Sequence, residues 1–504
     1  MPATHAVPIR GLMSTPASPQ FQGRYGRMFR SLPRAEFGSS EEQNEDNLTQ
    51  LGVAMSAEFD PPTDGPDDQE SGIPALYTYF GQFVDHDMTF DPASSLQKQN
   101  DPDALTDYRN PAFDLDCVFG RGPDDQPYLY EDGQRFLLGR RIHGASDRKA
   151  RDLPRNSARP ARALIGDPRN DENVMVSQLQ GLFLRYHNRV LSERPGVTFR
   201  HAQQLVRHHY QYVILHDFLP RIVHSSVLAA LKINGSYDER KLAFYRPRNE
   251  AFMPVEFSVA AYRFGHSMVR SGYRINDKFL LPIFPMPTHG LRQGLTGFRR
   301  MNPAWAIDWG RFIDIDVRRY DGSKADRARR LQFAYRIDTS LVYPLAYLPE
   351  SVVKTSDPPP SLAARNLLRG WRLGLPTGQH VARKMGVTPL RDDQILIGEA
   401  VDKPKKPLKS IVSVSKVFKD NCPLWTYILA EAMHHKESVR LPVKGNESIK
   451  TPQLGPVGGR IVAEVILGLM FRDKQSVLNQ TPGWHPKEGR NYGLRDFVRY
   501  ALGG

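Results

Sequence analysis

The sequence predicts a mainly α-helical fold, one large domain with long ordered loops and little β structure. Three observations point there. Apolar residues recur three or four apart through several long segments, which is the period of a helix face. Strand-like runs are few and short. Two stretches, 101–160 and 271–312, are too long for simple connectors, and loops of that length are usually functional or disordered.

Residues 1 to about 45 are rich in Pro, Arg, Ser and Gly and show no sustained periodicity. They read as an extended or partly disordered N-terminal arm, leaving 46–504 as the folded domain. Residues 60–70, DPPTDGPDDQE, form a loop by composition. In IPALYTYFGQFVDHDMTF, Pro74 suits a first helical turn, and Leu76, Tyr79, Phe80 and Phe83 follow at helical spacing. Val176, Leu179, Phe183, Tyr186 and Val190 predict a helix over 172–193. Leu205, Tyr210, Val213, Ile214 and Phe218 predict another over 200–219, and Val255, Val259, Tyr262 and His266 a third over 255–270. Apolar stretches at 411–434 and 458–471 also read as helical, while fragments near 279–285 and 312–316 are short strand candidates.

Composition narrows the function classes. A chain of 504 residues can bury a core large enough to enclose a sizeable cofactor. The 40% hydrophobic share and the aromatics spread along the length argue against wholesale disorder. Net charge is +13, but Lys and Arg are interleaved with Asp and Glu, without zinc-finger, basic-zipper or RNA-binding spacing, so no nucleic-acid partner is expected. Two cysteines, Cys117 and Cys422, do not make a disulfide framework. No run of 18 apolar residues occurs and the first twenty residues lack the apolar core of a secretory signal. No transmembrane segment is therefore expected, and the protein reads as cytoplasmic or exported without a recognisable signal peptide.

Five segments carry chemistry. In Gln82–Phe–Val–Asp85–His86–Asp87, residues 82, 85 and 86 share one helix face, bringing together an amide, a carboxylate and an imidazole. A surface Asp and a backbone-satisfied His would account for this equally well. In Arg109–Asn–Pro–Ala–Phe–Asp114–Leu–Asp116, alternating carboxylates in a Pro-bounded loop offer hard oxygen ligands of the kind calcium takes. An acidic, solvated turn is the plainer reading. In GDPRNDE, Asp171 and Glu172 are ordinary helix-start residues, which leaves Arg169 unexplained. In YRFGH, Gly265 would let a flat ligand approach closely beside His266, although a lone His on an apolar helix is more often structural. The fifth segment is Asn366–Leu–Leu–Arg369, followed by Gly374–Leu–Pro376.

In this order and spacing, over roughly residues 70–470, the five segments resemble the animal haem peroxidase family of the peroxidase–cyclooxygenase superfamily, in a bacterial-type member. GQFVDHD is similar to the family's distal-helix motif, which implies Gln82 and His86 as the distal pair, Asp85 as a carboxylate that can ester-link to haem b, and Asp87 as a calcium ligand. RNPAFDLDCVFG resembles the calcium loop and implies Asn110, the Ala112 carbonyl, Asp114 and Asp116 as further ligands, with Asn110 standing where the family usually has Thr. GDPRNDE resembles the segment with the distal arginine, Arg169, and the second ester-forming carboxylate, Glu172. Asn173 follows it in place of the Met that makes a sulfonium link in one mammalian member, so that bond is not expected. YRFGH resembles the proximal helix, making His266 the axial iron ligand, and NLLRGWRLGLP makes Asn366 its partner, accepting the imidazole N–H through the amide oxygen.

The activity this resemblance implies is reduction of hydrogen peroxide and oxidation of a small donor, such as a halide or phenol, through a ferryl intermediate. His86 would act as base and then acid, Arg169 would steady developing charge, and Gln82 would hold a water or halide. Two rivals remain. Fatty-acid dioxygenases of the family carry a radical-forming Tyr three residues before the proximal His, where this chain has Arg263, with Tyr262 about 100° away around a helix. A non-catalytic haem-fold adhesion or scaffold protein would not need His86, Arg169 and His266, yet all three are present.

Overall fold

Helix α2, Leu76–Met88, stands at the centre and buries all but Gln82 and Asp85. The computed structural model that contains it describes residues 23–89, 106–107, 111–247, 251–349, 359–402, 407–481 and 483–503. The chain is 41% helical and 12% strand, so the mainly α expectation holds. One continuous apolar core runs from Tyr25 to Ala501.

Pro74 does not open α2. It closes a buried strand, β1 (Glu70–Pro74), which pairs antiparallel with β2 (Phe333–Tyr335) in the register Glu70↔Tyr335 and Pro74↔Phe333. A strand end tolerates a residue without an N–H. The helix that follows lacks a side-chain cap. Its first donors are satisfied by tertiary carbonyls instead, Ala75 N–H bonding Gln332 O and Leu76 N–H bonding Phe312 O, both at 2.9 Å.

The expected arm ends in ordered structure. Helix α1, Glu41–Ala54, begins inside it, with Ser40 accepting from Gln43 N–H as N-cap. Ahead of α1, Phe29 and Phe37 are buried. Helix α1 lies against α5, Leu362–Arg372, so closely that a Cβ on Gly52 would come within 2.6 Å of the Ala364 backbone.

Helices α3 (Val174–Glu193) and α4 (Phe199–Val213) match two of the predicted segments, N-capped by Asn173 and Thr198. The end of the second widens into a π turn over Ile214–Phe218. There Asp217 collects the Tyr77 hydroxyl (2.5 Å), Arg221 Nε (2.7 Å) and Leu494 N–H (2.7 Å), a tertiary demand that periodicity does not report. The 255–270 segment departs further from expectation. A π turn at Glu256–Ala260 passes into a 3₁₀ helix at Ala261–His266. The buried Glu256 carboxylate holds the N–H groups of Met28 and Phe29, at 3.0 and 3.1 Å, and so anchors the π turn. In the 3₁₀ stretch residues three apart eclipse, which sets Arg263 and His266 in line.

Leu280–Pro282 is a strand, paired with Gly272–Arg274. The 312–316 fragment is not, because Phe312 and Ile313 both give their N–H to Trp309 O in a turn. Residues 411–434 hold two short 3₁₀ turns and then α6, Leu424–His434, entered after Pro423. A hairpin of β3 (Lys436–Arg440) and β4 (Ser448–Pro452) leads to α7, Pro456–Arg472, and α8, Leu494–Leu502, closes the chain. Among the described residues no helix is long and apolar enough to cross a membrane. Both cysteines are buried and neither forms a disulfide.

Glu431 of α6 caps α7, accepting from Val457 N–H and Gly458 N–H at 3.0 Å. Burial raises its carboxyl to about 7 from 4.5. The folded chain thus keeps a proton that the unfolded chain releases, so this group lowers stability as pH rises from 4.5 to 7. Glu431→Gln removes that proton and is expected to flatten the urea-midpoint profile across this window, measured at pH 4.5, 6 and 7.5.

Candidate active site

On α2 the predicted face forms. Gln82 and Asp85 are half-buried and His86 is 4% exposed. Across from them lies the turn Pro168–Asp171, capped by Asp167, which leads through Glu172 and Asn173 into α3. Gln82 Nε2 donates to Glu172 Oε1, and Asn173 Nδ2 donates to Gln82 Oε1 at 3.1 Å. Glu172 Oε1 is 3.9 Å from His86 Nε2. Burial raises the Glu172 carboxyl to about 7, with Arg169 opposing the rise. Burial also raises Asp85, against the pull of Arg169 and Arg263.

Arg169 is clamped. Its Nε and Nη2 bond the buried Asp167 carboxylate, and Nη2 also reaches the carbonyls of His86 (3.0 Å) and Thr89. The guanidinium therefore pins the C-terminal end of α2 to the 168–171 turn.

Asp87 points away from this face into the calcium-type loop. Carboxylate oxygens of Asp87, Asp114 and Asp116 lie within 4.8 Å of one another. Asp87 is fully buried, and Oδ1 has no hydrogen-bond partner, although the Cys117 thiol and Tyr210 hydroxyl lie beside it. Burial, then Asp114 and Asp116, raise its carboxyl well above the usual range. Converging carboxylates with an unsatisfied buried oxygen are a donor set that fits a hard divalent cation. Ala112 precedes Asp114 by two residues in the same loop, and Asn110 lies outside the described residues.

His266 ends the 3₁₀ segment. The residue is half-buried, and burial and then the Arg263 charge hold the imidazole down at about 3, so it is neutral across the physiological range. A Cβ on the adjacent Gly265 would meet nothing within 4 Å, leaving room for a flat group beside the ring. A neutral imidazole next to open space fits a haem axial ligand. Tyr262 of this segment donates its hydroxyl to Gly81 O at 3.2 Å, and Trp425 of α6 donates to Arg263 O at 3.2 Å. The segment with His266 is thereby tied to the helix with His86.

Asn366 meets His266 Nδ1 at 2.8 Å, with a polarity opposite to the expected one. Arg263 Nη1 occupies Asn366 Oδ1, which turns the amide nitrogen toward the ring. A half-turn of the amide, which exchanges near-isosteric groups, would give Nδ1–H its acceptor and would require Arg263 to release the oxygen.

Sequence reasoning passed over Arg263 as a contact of Asn366, and over Asn170 and Gln180. Asn170 Oδ1 lies 2.8 Å from His86 Nδ1, and Asn170 Nδ2 donates to Gln180 Oε1 at 2.9 Å. Asn170 sits within GDPRNDE, but no spacing rule distinguishes an amide aimed at an imidazole from one capping a turn.

The described residues thus form a mainly helical domain with two histidine-bearing segments tied together, a clamped arginine and a carboxylate cluster. Residues 131–290 match the family model for the animal haem peroxidase. That stretch of the chain therefore resembles the animal haem peroxidase domain. The matched span includes Arg169, Glu172 and His266; α2, the carboxylate loop and Asn366 lie outside it. A peroxidase-like protein of Margaritifera margaritifera is 30% identical over 116 residues, 21% of this chain. Peroxidasin of Drosophila melanogaster is 26% identical over 244 residues, 46% of this chain. The chain spans about a seventh of the length of these two relatives, 14% in each case. Peroxidase A from Dictyostelium discoideum has the same fold, with a TM-score of 0.57, 14% identity and 93% of each chain covered.

Proposed function

We propose that the chain is a haem peroxidase that reduces hydrogen peroxide and oxidises a small donor such as a halide or phenol. The observation that carries this reading is His86 itself, buried, bonded through Nδ1 to Asn170 and facing Glu172 with Nε2. His266 would hold haem b, and bound haem supplies the electrons that reduce the peroxide O–O bond and takes them back from the donor. His86 Nε2 removes a proton from one peroxide oxygen and returns it to the other, so that the second oxygen leaves as water. Arg169, locked by Asp167, sets a fixed positive charge beside the helix end that carries this base. Gln82, held by Glu172 and Asn173, presents a polar wall on the same face. Asp85 and Glu172 would be the carboxyls able to ester-link the haem, a step that would need turnover with peroxide.

Tyr262, the residue nearest to the radical-forming position of a dioxygenase, gives its hydroxyl to Gly81 O, which disfavours that reading. Haem reconstitution tests the proposal. A Soret band that shifts within seconds of peroxide addition, with a phenol oxidised in step, supports it. A chain that takes up no haem, or whose bound haem ignores peroxide while consuming oxygen with linoleate, overturns it.

Calcium held by Asp87, Asp114 and Asp116 would relieve the mutual repulsion of the three carboxylates and pin the residue next to His86. A bound ion stabilises the fold by about 2.7 kcal/mol at a hundred times its dissociation constant. EGTA is therefore expected to lower the melting temperature and slow the peroxide reaction while the Soret amplitude persists. A melting temperature independent of calcium from micromolar to millimolar would exclude the site.

A further inference from the structure

We propose that Asn170 is the positioning residue that sets the tautomer of His86, acting with Gln180 as a buried amide relay. The inference rests on the peroxidase reading for its purpose, though not for its geometry. An imidazole can abstract a proton at Nε2 only if its own proton sits on Nδ1. In this chain the partner at Nδ1 is the Asn170 side-chain oxygen at 2.8 Å. An amide oxygen accepts and cannot donate, so Nδ1 must carry the hydrogen. What keeps that oxygen toward the ring is the other end of the same amide, since Asn170 Nδ2 donates to Gln180 Oε1 at 2.9 Å.

Both amides are fully buried, so neither can exchange its partner for water. The relay also ties two elements. Asn170 belongs to the turn that carries Arg169, and Gln180 belongs to α3, two helical turns beyond the Asn173 cap. The same turn thus clamps α2 through Arg169, at the His86 carbonyl, and orients the His86 ring through Asn170. Position and protonation pattern of the base come from consecutive residues.

The opposite polarity, with both amides turned over, would put Asn170 Nδ2 on Nδ1 and leave Nε2 protonated, useless as a base. Gln180 Nε2 has no hydrogen-bond partner in the observed arrangement. That spare donor makes a specific rescue available. In Asn170→Asp the new carboxylate accepts from Nδ1–H, and Gln180 can turn Nε2 toward it.

The test reads the His86 ring directly. Full-length chain is labelled with ¹⁵N-histidine and prepared without haem, and the His86 signals are assigned by their loss in His86→Gln. Wild type is expected to show the Nδ1–H pattern. Asn170→Leu, which keeps the branching and removes the acceptor, should show both tautomers. Gln180→Leu, which frees the Asn170 amide to turn, should show the same mixture in smaller degree, and Asn170→Asp should restore Nδ1–H. A second readout uses cyanide association with the haem-loaded protein, because HCN must surrender its proton to a distal base. Loss of an orienting partner costs metal-ligating histidines ~10–100-fold, and a loss of the same order is expected here, so Asn170→Leu should slow cyanide association by that factor and Asn170→Asp should recover most of it. An Nε2–H pattern in wild type, or an unchanged pattern in Asn170→Leu, overturns the proposal. If Asn170→Leu does not fold, Gln180→Leu and Asn170→Asp carry the same contrast. A chain that binds no haem gives no cyanide spectrum and defeats the peroxidase reading, while the tautomer measurement still decides the role of Asn170.

Discussion

His86→Ala is expected to keep haem binding and to slow the reaction with hydrogen peroxide by about 10²–10⁴-fold, the usual worth of a positioned proton-transfer group. On the proposed reading His266, not His86, would retain the haem, so uptake and reactivity should separate. The residual rate has a predictable origin. Glu172 Oε1 is 3.9 Å from the imidazole nitrogen that is lost, and its carboxyl is raised to about 7. Where it has not been esterified to haem, a carboxyl poised there is an acid below that pH and a weak base above it. The variant's remaining reaction should therefore grow as pH rises through about 7 and vanish in His86→Ala/Glu172→Gln. Stopped-flow mixing across pH 5–9 measures both effects. A single variant reacting within threefold of wild type would remove His86 from the chemistry.

The parts of this molecule that were legible in the sequence are those where a local rule and a tertiary demand coincide. The α2 and α3 helices show apolar residues every three or four positions because they run through the core, and the polar residues breaking the pattern in α2, Gln82, Asp85 and His86, are the ones that gather at the site. Pro74 misled because a helix start and a strand end both accept a residue without an N–H. The 255–266 segment misled for a different reason. Apolar spacing at 255, 259, 262 and 266 suits an α-helix, but the buried Glu256 carboxylate draws in the backbone of Met28 and Phe29, and the chain widens and then tightens to keep that bond. Likewise the nearness of Asn366 to His266 was readable by resemblance, while its polarity was not. That polarity is decided by Arg263, three residues before the histidine on an eclipsed 3₁₀ face. Amide direction depends on a third group, and no spacing of two residues encodes it.

A second large effect is expected far from the chemistry. Glu70, fully buried, receives Arg330 at both oxygens (2.6 and 2.7 Å), Arg270 at Oε1 (2.7 Å) and the Tyr320 hydroxyl at Oε2 (3.1 Å). It opens β1, the strand that runs directly into α2, while Arg270 lies four residues past His266. The cluster therefore fixes the spacing between the element bearing His86 and the element bearing His266. Arg270 also bonds Phe333 O at 2.9 Å, so β2 is locked into the same joint. Removing the one carboxylate leaves two buried guanidiniums facing each other without compensation, and breaking such a pair costs about 3–5 kcal/mol. Glu70→Ala is expected to lose stability of that order in urea unfolding and to bind haem more weakly, because the two histidines lose their common reference. Glu70→Gln keeps the shape and some hydrogen bonds, so it should fall between Ala and wild type in both measurements. If Glu70→Ala were destabilised by less than about 1 kcal/mol, in the range of an exposed ion pair, the joint would be decorative, and the spacing of the two histidines would have to come from the Tyr262–Gly81 contact and the apolar core alone.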